Sequence, residues 1–213
     1  MLNVDTRNGG LLLSSEEAPI LTAGPLRDGP DVSWISRCKV GDDQGREGAC
    51  AIFALANWAE VMHGKSISNN DCLELYAATL RKLNRTTSGL TFSDAFAAVR
   101  DAGWLPGSKA LVRAGSLAAL TTQPLIAGYE ITGAWDGVSA QGCLDHQVKT
   151  PSRGYHAVLI VGHGAIDKLP NGMLKPRWVY IENSWGLKWG WNGIGVMSET
   201  LHRSMCREMW GIA

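Results

Sequence analysis

Residues 49–63, ACAIFALANWAEVMH, limit what this chain can fold into more than any other segment. A helix wound through them is apolar on every face, and Gly64 follows as a stop. Such a helix has to lie inside a core, so other elements must cover it on several sides. Two amphipathic helices come next. Ser68 fits an N-cap for a helix running to Leu83, with Leu73, Leu75, Tyr76, Leu80 and Leu83 as its apolar positions. Thr91 or Ser93 caps a third, which aligns Phe92, Ala95, Phe96 and Val99 and ends at Gly103.

After Pro106 the texture changes. Residues 124–131, 155–162, 177–183 and 193–197 are short β-branched or aromatic runs between Gly and Pro breaks, and they read as strands. Helices precede strands instead of alternating with them, which predicts an α+β fold of two segregated lobes. At 213 residues the chain suits one domain. Residues 1–30, with Asn8-Gly9-Gly10, Gly24-Pro25 and Gly29-Pro30, read as an irregular arm. The domain then spans 31–213, as a helical lobe over about 31–110 and a β-rich lobe over about 111–213.

Twenty basic and twenty acidic side chains cancel, which argues against a nucleic-acid partner, since phosphate binding needs a clustered basic excess. No apolar run approaches the roughly 20 residues of a membrane span. Leu11 to Leu13 is too short for the apolar core of a signal peptide, and Asp5 precedes it where a basic cluster belongs. The five cysteines, Cys38, Cys50, Cys72, Cys143 and Cys206, are an odd set without a CxxC pair. They suit a reducing compartment or delivery into a target cell better than a disulfide framework, with a Cys38–Cys72 bridge left open.

Three positions carry chemistry. Cys50 opens the buried helix, where free N–H groups and the dipole favour a thiolate. His156 lies in an apolar strand. Asn183 precedes Ser184-Trp185-Gly186. Taken singly, these are an inert buried cysteine, a satisfied core histidine and a strand-end turn. In the order Cys, His, Asn, together with Gln44 and with Trp189-Gly190, they resemble the papain-like cysteine peptidases over residues 31–197. Asn183 follows Cys50 by 133 residues, within the family's interval, whereas His156 follows by only 106. The 27 residues from His156 to Asn183 include an added loop, 167–176. Residues 67–71 and the run Ser88-Gly89 to Gly103 are similar to the bacterial-type branch. Glu47 stands where the family has a cysteine and Ala51 where it has an aromatic residue, and no inhibitory prodomain motif is recognisable in the leader.

The resemblance implies a papain-like two-lobe fold with the active-site cleft between the lobes. It implies Cys50 as nucleophile, His156 as its acid–base partner, Asn183 as the orienting residue and Gln44 as an oxyanion donor. Trp185 would shield the His–Asn contact, and Gly89 would pair with an extended peptide. The expected activity is that of a cysteine endopeptidase acting on protein or peptide substrates through a thioester. A bacterial toxin or effector role, with an inhibitor or immunity protein over the cleft, fits the same pattern. The alternatives are an amidase or acyl-transfer enzyme with the same triad, or a non-catalytic binding module. The murein-amidase group differs in its shorter Cys-to-His gap and lacks the Asn-Ser-Trp-Gly box. Asp145, His146, His163 and the pair His202/Cys206 do not make up a zinc set, so no metal or cofactor is expected.

Overall fold

The computed structural model describes residues 10–13, 31–86, 88–138, 140, 142–144, 151–164 and 178–213. In chain order these form strand β1 (Val32–Ser33), helices α1 (Cys50–His63), α2 (Asn69–Lys82) and α3 (Phe92–Asp101), and strands β2 (Leu111–Arg113), β3 (Leu125–Thr132), β4 (Ser152–Gly164), β5 (Trp178–Glu182) and β6 (Ile194–Ser198), then helix α4 (Glu199–Met205) and strand β7 (Cys206–Ile212). This is the expected α+β arrangement, with α1–α3 ahead of nearly all of the sheet. The residues expected as an arm are described only at 10–13, and the loop 167–176, Asp145 and His146 lie outside the described residues.

α1 is buried from Cys50 through Val61, as its all-round apolar sequence requires. Gly64 closes it in the left-handed conformation, φ 64°, which glycine reaches without a Cβ penalty. α2 and α3 both begin with reciprocal caps. The Asp71 N–H donates to Ser68 Oγ at 3.1 Å and the Ser68 N–H to Asp71 Oδ2 at 3.0 Å; Thr91 and Asp94 repeat the pattern. α1, by contrast, has Ala49 at its N-cap and no capping side chain. Its first N–H groups are therefore left for another acceptor.

The strands form one antiparallel sheet in the order β2-β7-β3-β4-β5-β6, with β1 added beside β4. β4 alternates strictly. Ala157, Leu159 and Val161 face α1 and its core, while Val158 and Ile160 join a second core with Tyr129, Trp135, Val179 and Ile181. The sheet thus separates two apolar layers, and the strand carrying His156 lies between them. α4 and β7 were not apparent in the sequence; β7 completes the sheet between β2 and β3. All five cysteines are free thiols, so Cys38 and Cys72 are not bridged. Among the described residues no helix is long and apolar enough to cross a membrane.

Candidate active site

Cys50 is the first residue of α1 and is fully buried. His156, also fully buried, lies near the start of β4 opposite Tyr129 of β3. Asn183 follows directly on β5 and is fixed by its backbone N–H donating to the Gly193 carbonyl at 2.9 Å. These placements put Asn183 Oδ1 2.7 Å from His156 Nε2. The Ser184 N–H donates to the same oxygen at 2.8 Å, which holds the amide with its oxygen toward the ring. The backbone of Ala157, the residue after His156, hydrogen-bonds to the Cys50 thiol. The thiol of α1 therefore lies against β4 at the residue that follows His156.

Trp185 is buried with its ring 4.7 Å from the His156 ring, and Trp135 approaches the same imidazole edge-on at 6.2 Å. Trp189 stacks on Trp135 at 6.3 Å and donates its indole N–H to the Trp135 carbonyl at 2.7 Å. Three indoles thus wall the His–Asn pair from water, which strengthens the hydrogen bond between them.

Gln44 is tied to the Asn183 turn at both ends. Its backbone N–H donates to the Ser184 carbonyl at 2.9 Å, and its Oε1 accepts from Ser184 Oγ at 2.6 Å. Nε2 donates to the Glu47 carbonyl at 2.6 Å; an amide nitrogen carries two hydrogens, so a second donor stays with the side chain. The structure therefore gathers Cys50, His156, Asn183, Gln44 and Trp185. Gly89 adopts φ 105° beside them, but its N–H donates to the Tyr76 hydroxyl at 3.1 Å. Leu90, one residue on, carries a backbone pairing of its own.

That pairing is with the chain itself. Leu90 N–H donates to the Gly10 carbonyl at 3.1 Å, Leu12 N–H donates to the Leu90 carbonyl at 3.0 Å, and Leu11 N–H donates to the Tyr155 carbonyl at 2.9 Å. Gly10 also hydrogen-bonds to the thiol through its backbone. Helix position alone predicted a thiolate-biased Cys50. Burial outweighs it and pushes the thiol up to about 11, against the backbone hydrogen bonds from Ala157, Gly10, Ala51 and Cys50 itself.

Sequence reasoning missed Ser184 and the contacts of residues 10–13, and it read Trp135 only as core or cleft packing. Ser184 stood in the motif but was treated as filler. Trp135 and Leu11 have no local signal, since only the sheet brings them to the site. His202 bonds the Tyr129 hydroxyl at 2.5 Å and Cys206 begins β7, so the two do not share a helix face. His163 pairs with Glu199.

Residues 109–209 match the family described as "Papain family cysteine protease". The fold is similar to that of xylellain, a cysteine protease from Xylella fastidiosa, at TM-score 0.63 and 17% identity over 97% of this chain and 96% of that one. It is also similar to digestive procathepsin L 3 of Tenebrio molitor, at 0.59 and 18% over 97% and 75%, and to the ragweed pollen allergen Amb a 11 cysteine protease in its proform, at 0.61 and 18% over 89% and 67%. Comparison with curated proteins gives no match. The fold is that of the papain-like cysteine peptidases, and the family match covers residues 109–209.

Proposed function

We propose that this chain is a cysteine endopeptidase that cleaves peptide bonds through a thioester on Cys50. The observation that carries the proposal is the 2.7 Å contact between His156 Nε2 and Asn183 Oδ1, with the Cys50 thiol bonded to the backbone of the next residue, Ala157. Asn183 accepts the Nε2 proton, so Nδ1 is the nitrogen that exchanges a proton with sulfur.

Cys50 Sγ attacks the substrate carbonyl carbon as its proton passes to His156. The oxyanion accepts hydrogen bonds from the Cys50 N–H and the second N–H of Gln44 Nε2. The imidazolium returns the proton to the amine as the C–N bond breaks, leaving the thioester. Water then attacks that carbonyl, giving its proton to His156, and the thiol is restored as the acid product leaves. Trp185 and Trp135 keep water from the His–Asn bond throughout. An inhibitor or immunity protein directed at this activity would take the same cleft.

Incubation of the full chain with a denatured protein, read as new N-termini, tests the proposal. Cys50→Ala and His156→Ala should each abolish the new termini while leaving the circular dichroism spectrum unchanged. Cleavage that survives in Cys50→Ala would overturn it.

A further inference from the structure

Tyr76 lies on the buried face of α2, one turn after Cys72 and one before Thr79, and its side chain is 3% exposed. Its hydroxyl ends between two loops. The Gly89 N–H donates to it at 3.1 Å, and the backbone N–H of Gly48 hydrogen-bonds to the same oxygen. The fit is close. A Cβ on Gly48 would stand 3.0 Å from that oxygen, 2.9 Å from the Gly89 nitrogen and 3.2 Å from Ser88 Cβ. Gly48 and Gly89 are both buried, so their N–H groups need a partner inside the protein. A phenol offers two acceptor positions, one for each of them. The group stays neutral, since burial first, and then the charges of Glu47 and Cys50, raise its pKa against the two backbone donors.

The Gly48 N–H and the Glu47 carbonyl belong to one planar peptide group. Gln44 Nε2 donates to that carbonyl at 2.6 Å. Tyr76 therefore grips one end of the peptide plane, and the other end grips Gln44. Turning the plane would turn the Gln44 amide and redirect its second N–H. The plane lies just ahead of Cys50, where α1 begins at Ala49 without a capping side chain. All five cysteines are free, so no disulfide secures this loop either. The Tyr76 hydroxyl supplies the tie that a cap or a disulfide would give.

We propose that Tyr76 is a positioning residue for the peptidase reaction, whose hydroxyl sets the Glu47–Gly48 peptide and through it aims the Gln44 amide at the oxyanion. It touches neither the substrate nor the reacting atoms. The role in the reaction rests on the peptidase reading above; the tie of Tyr76 to Gly48 and Gly89 does not.

Tyr76→Phe keeps the ring and removes only the oxygen. The first readout, hydrogen exchange of the full chain resolved to single amides, requires no peptidase activity. Exchange at Gly48 and Gly89 should quicken by about three- to tenfold beyond any change in the β4 amides, the scale of one lost hydrogen bond. Unchanged exchange at both glycines would overturn the tie.

The second readout is steady-state hydrolysis of a panel of blocked peptidyl coumarylamides. In Tyr76→Phe, kcat should fall at least about fivefold while KM stays within about twofold, because aim in the transition state is what is lost. Gln44→Ala separates aim from general loosening. If Tyr76 acts through Gln44, adding Tyr76→Phe to Gln44→Ala should lower kcat by less than about twofold further, whereas a merely structural weakening would cost the same factor in both backgrounds. An unchanged kcat in Tyr76→Phe, or an equal factor in both backgrounds, would overturn the positioning role. Faster exchange at the two glycines with no hydrolysis of any peptide by the parent chain would uphold the tie and refute the peptidase reading together with the role it gives Tyr76.

Discussion

Glu182 immediately precedes Asn183, and its carboxylate is 2% exposed at the end of β5. Burial is the main reason its pKa is pushed up to about 7 from the usual 4.5. Hydrogen bonds from Cys38 and the Val40 N–H pull the other way, and Asp42 and Glu60 add to the rise. Asp42 is raised to about 6, again by burial first and Glu60 next, with Lys39 opposing. A folded-state pKa above the unfolded one means that the native protein binds the extra proton. The stabilisation is complete below about pH 4.5 and is lost as the pH climbs through 7. For Glu182 the full rise corresponds to about 3 kcal/mol at most, and relaxation around a buried charge makes about 2–3 kcal/mol the working figure.

Glu182→Gln keeps an acceptor for Val40 N–H and cannot ionise. At pH 5 variant and parent should melt together, and at pH 8 the variant should melt higher by about 4–12 °C. His202, held down to about 4 by burial, opposes the trend over the same range, so the comparison is between two chains at each pH rather than along one curve. Thermal melts followed by circular dichroism at pH 5 and 8 suffice. A gap equal at both pH values, or larger at pH 5, would refute the reasoning.

Gln44→Ala should lower kcat by about 10²–10³ with little change in KM, because it removes a donor used in the transition state. Asn183→Ala should also lower kcat more than KM; an unchanged kcat would remove its orienting role. Ser184→Ala loses the 2.6 Å bond to Gln44 Oε1 and should reproduce a milder form of the Gln44 defect in steady-state kinetics. Ser68→Ala opens the reciprocal cap of α2 and should cost about 1 kcal/mol in urea unfolding without changing peptide hydrolysis.

What the sequence revealed depended on whether a residue's partners were local. α1 was legible because an all-round apolar run has one solution, burial. α2 was legible through the Ser68–Asp71 cap, and α3 through Thr91. Cys50, His156 and Asn183 could be read together because three weak signals in a fixed order constrain each other. β7 escaped because Cys206–Ile212 mixes charged and apolar residues, with Glu208 turned inward to accept from the Trp210 indole at 3.1 Å. α4 is a short helix of about two turns whose polar face hides its buried Leu201 and His202. The docking of Leu11 could not be read at all. Its side chain packs where Gly128, more than a hundred residues away, has none, and its hydrogen bonds are to backbone groups that no sequence distinguishes. The thiol illustrates the same point. Helix position favoured the anion, whereas β4 on one side and the segment of residues 10–13 on the other bury it.

The central claim is that Cys50, served by His156 and Asn183, carries the acyl group of a cleaved peptide. Acid quenching of the full chain during turnover of a peptide ester, followed by intact-mass and peptide-mapping mass spectrometry, tests it most directly. The account predicts an adduct of the acyl mass on the peptide containing Cys50, cleavable by hydroxylamine and missing in Cys50→Ala. Turnover with no adduct on Cys50, or with the acyl group on another residue, would contradict it.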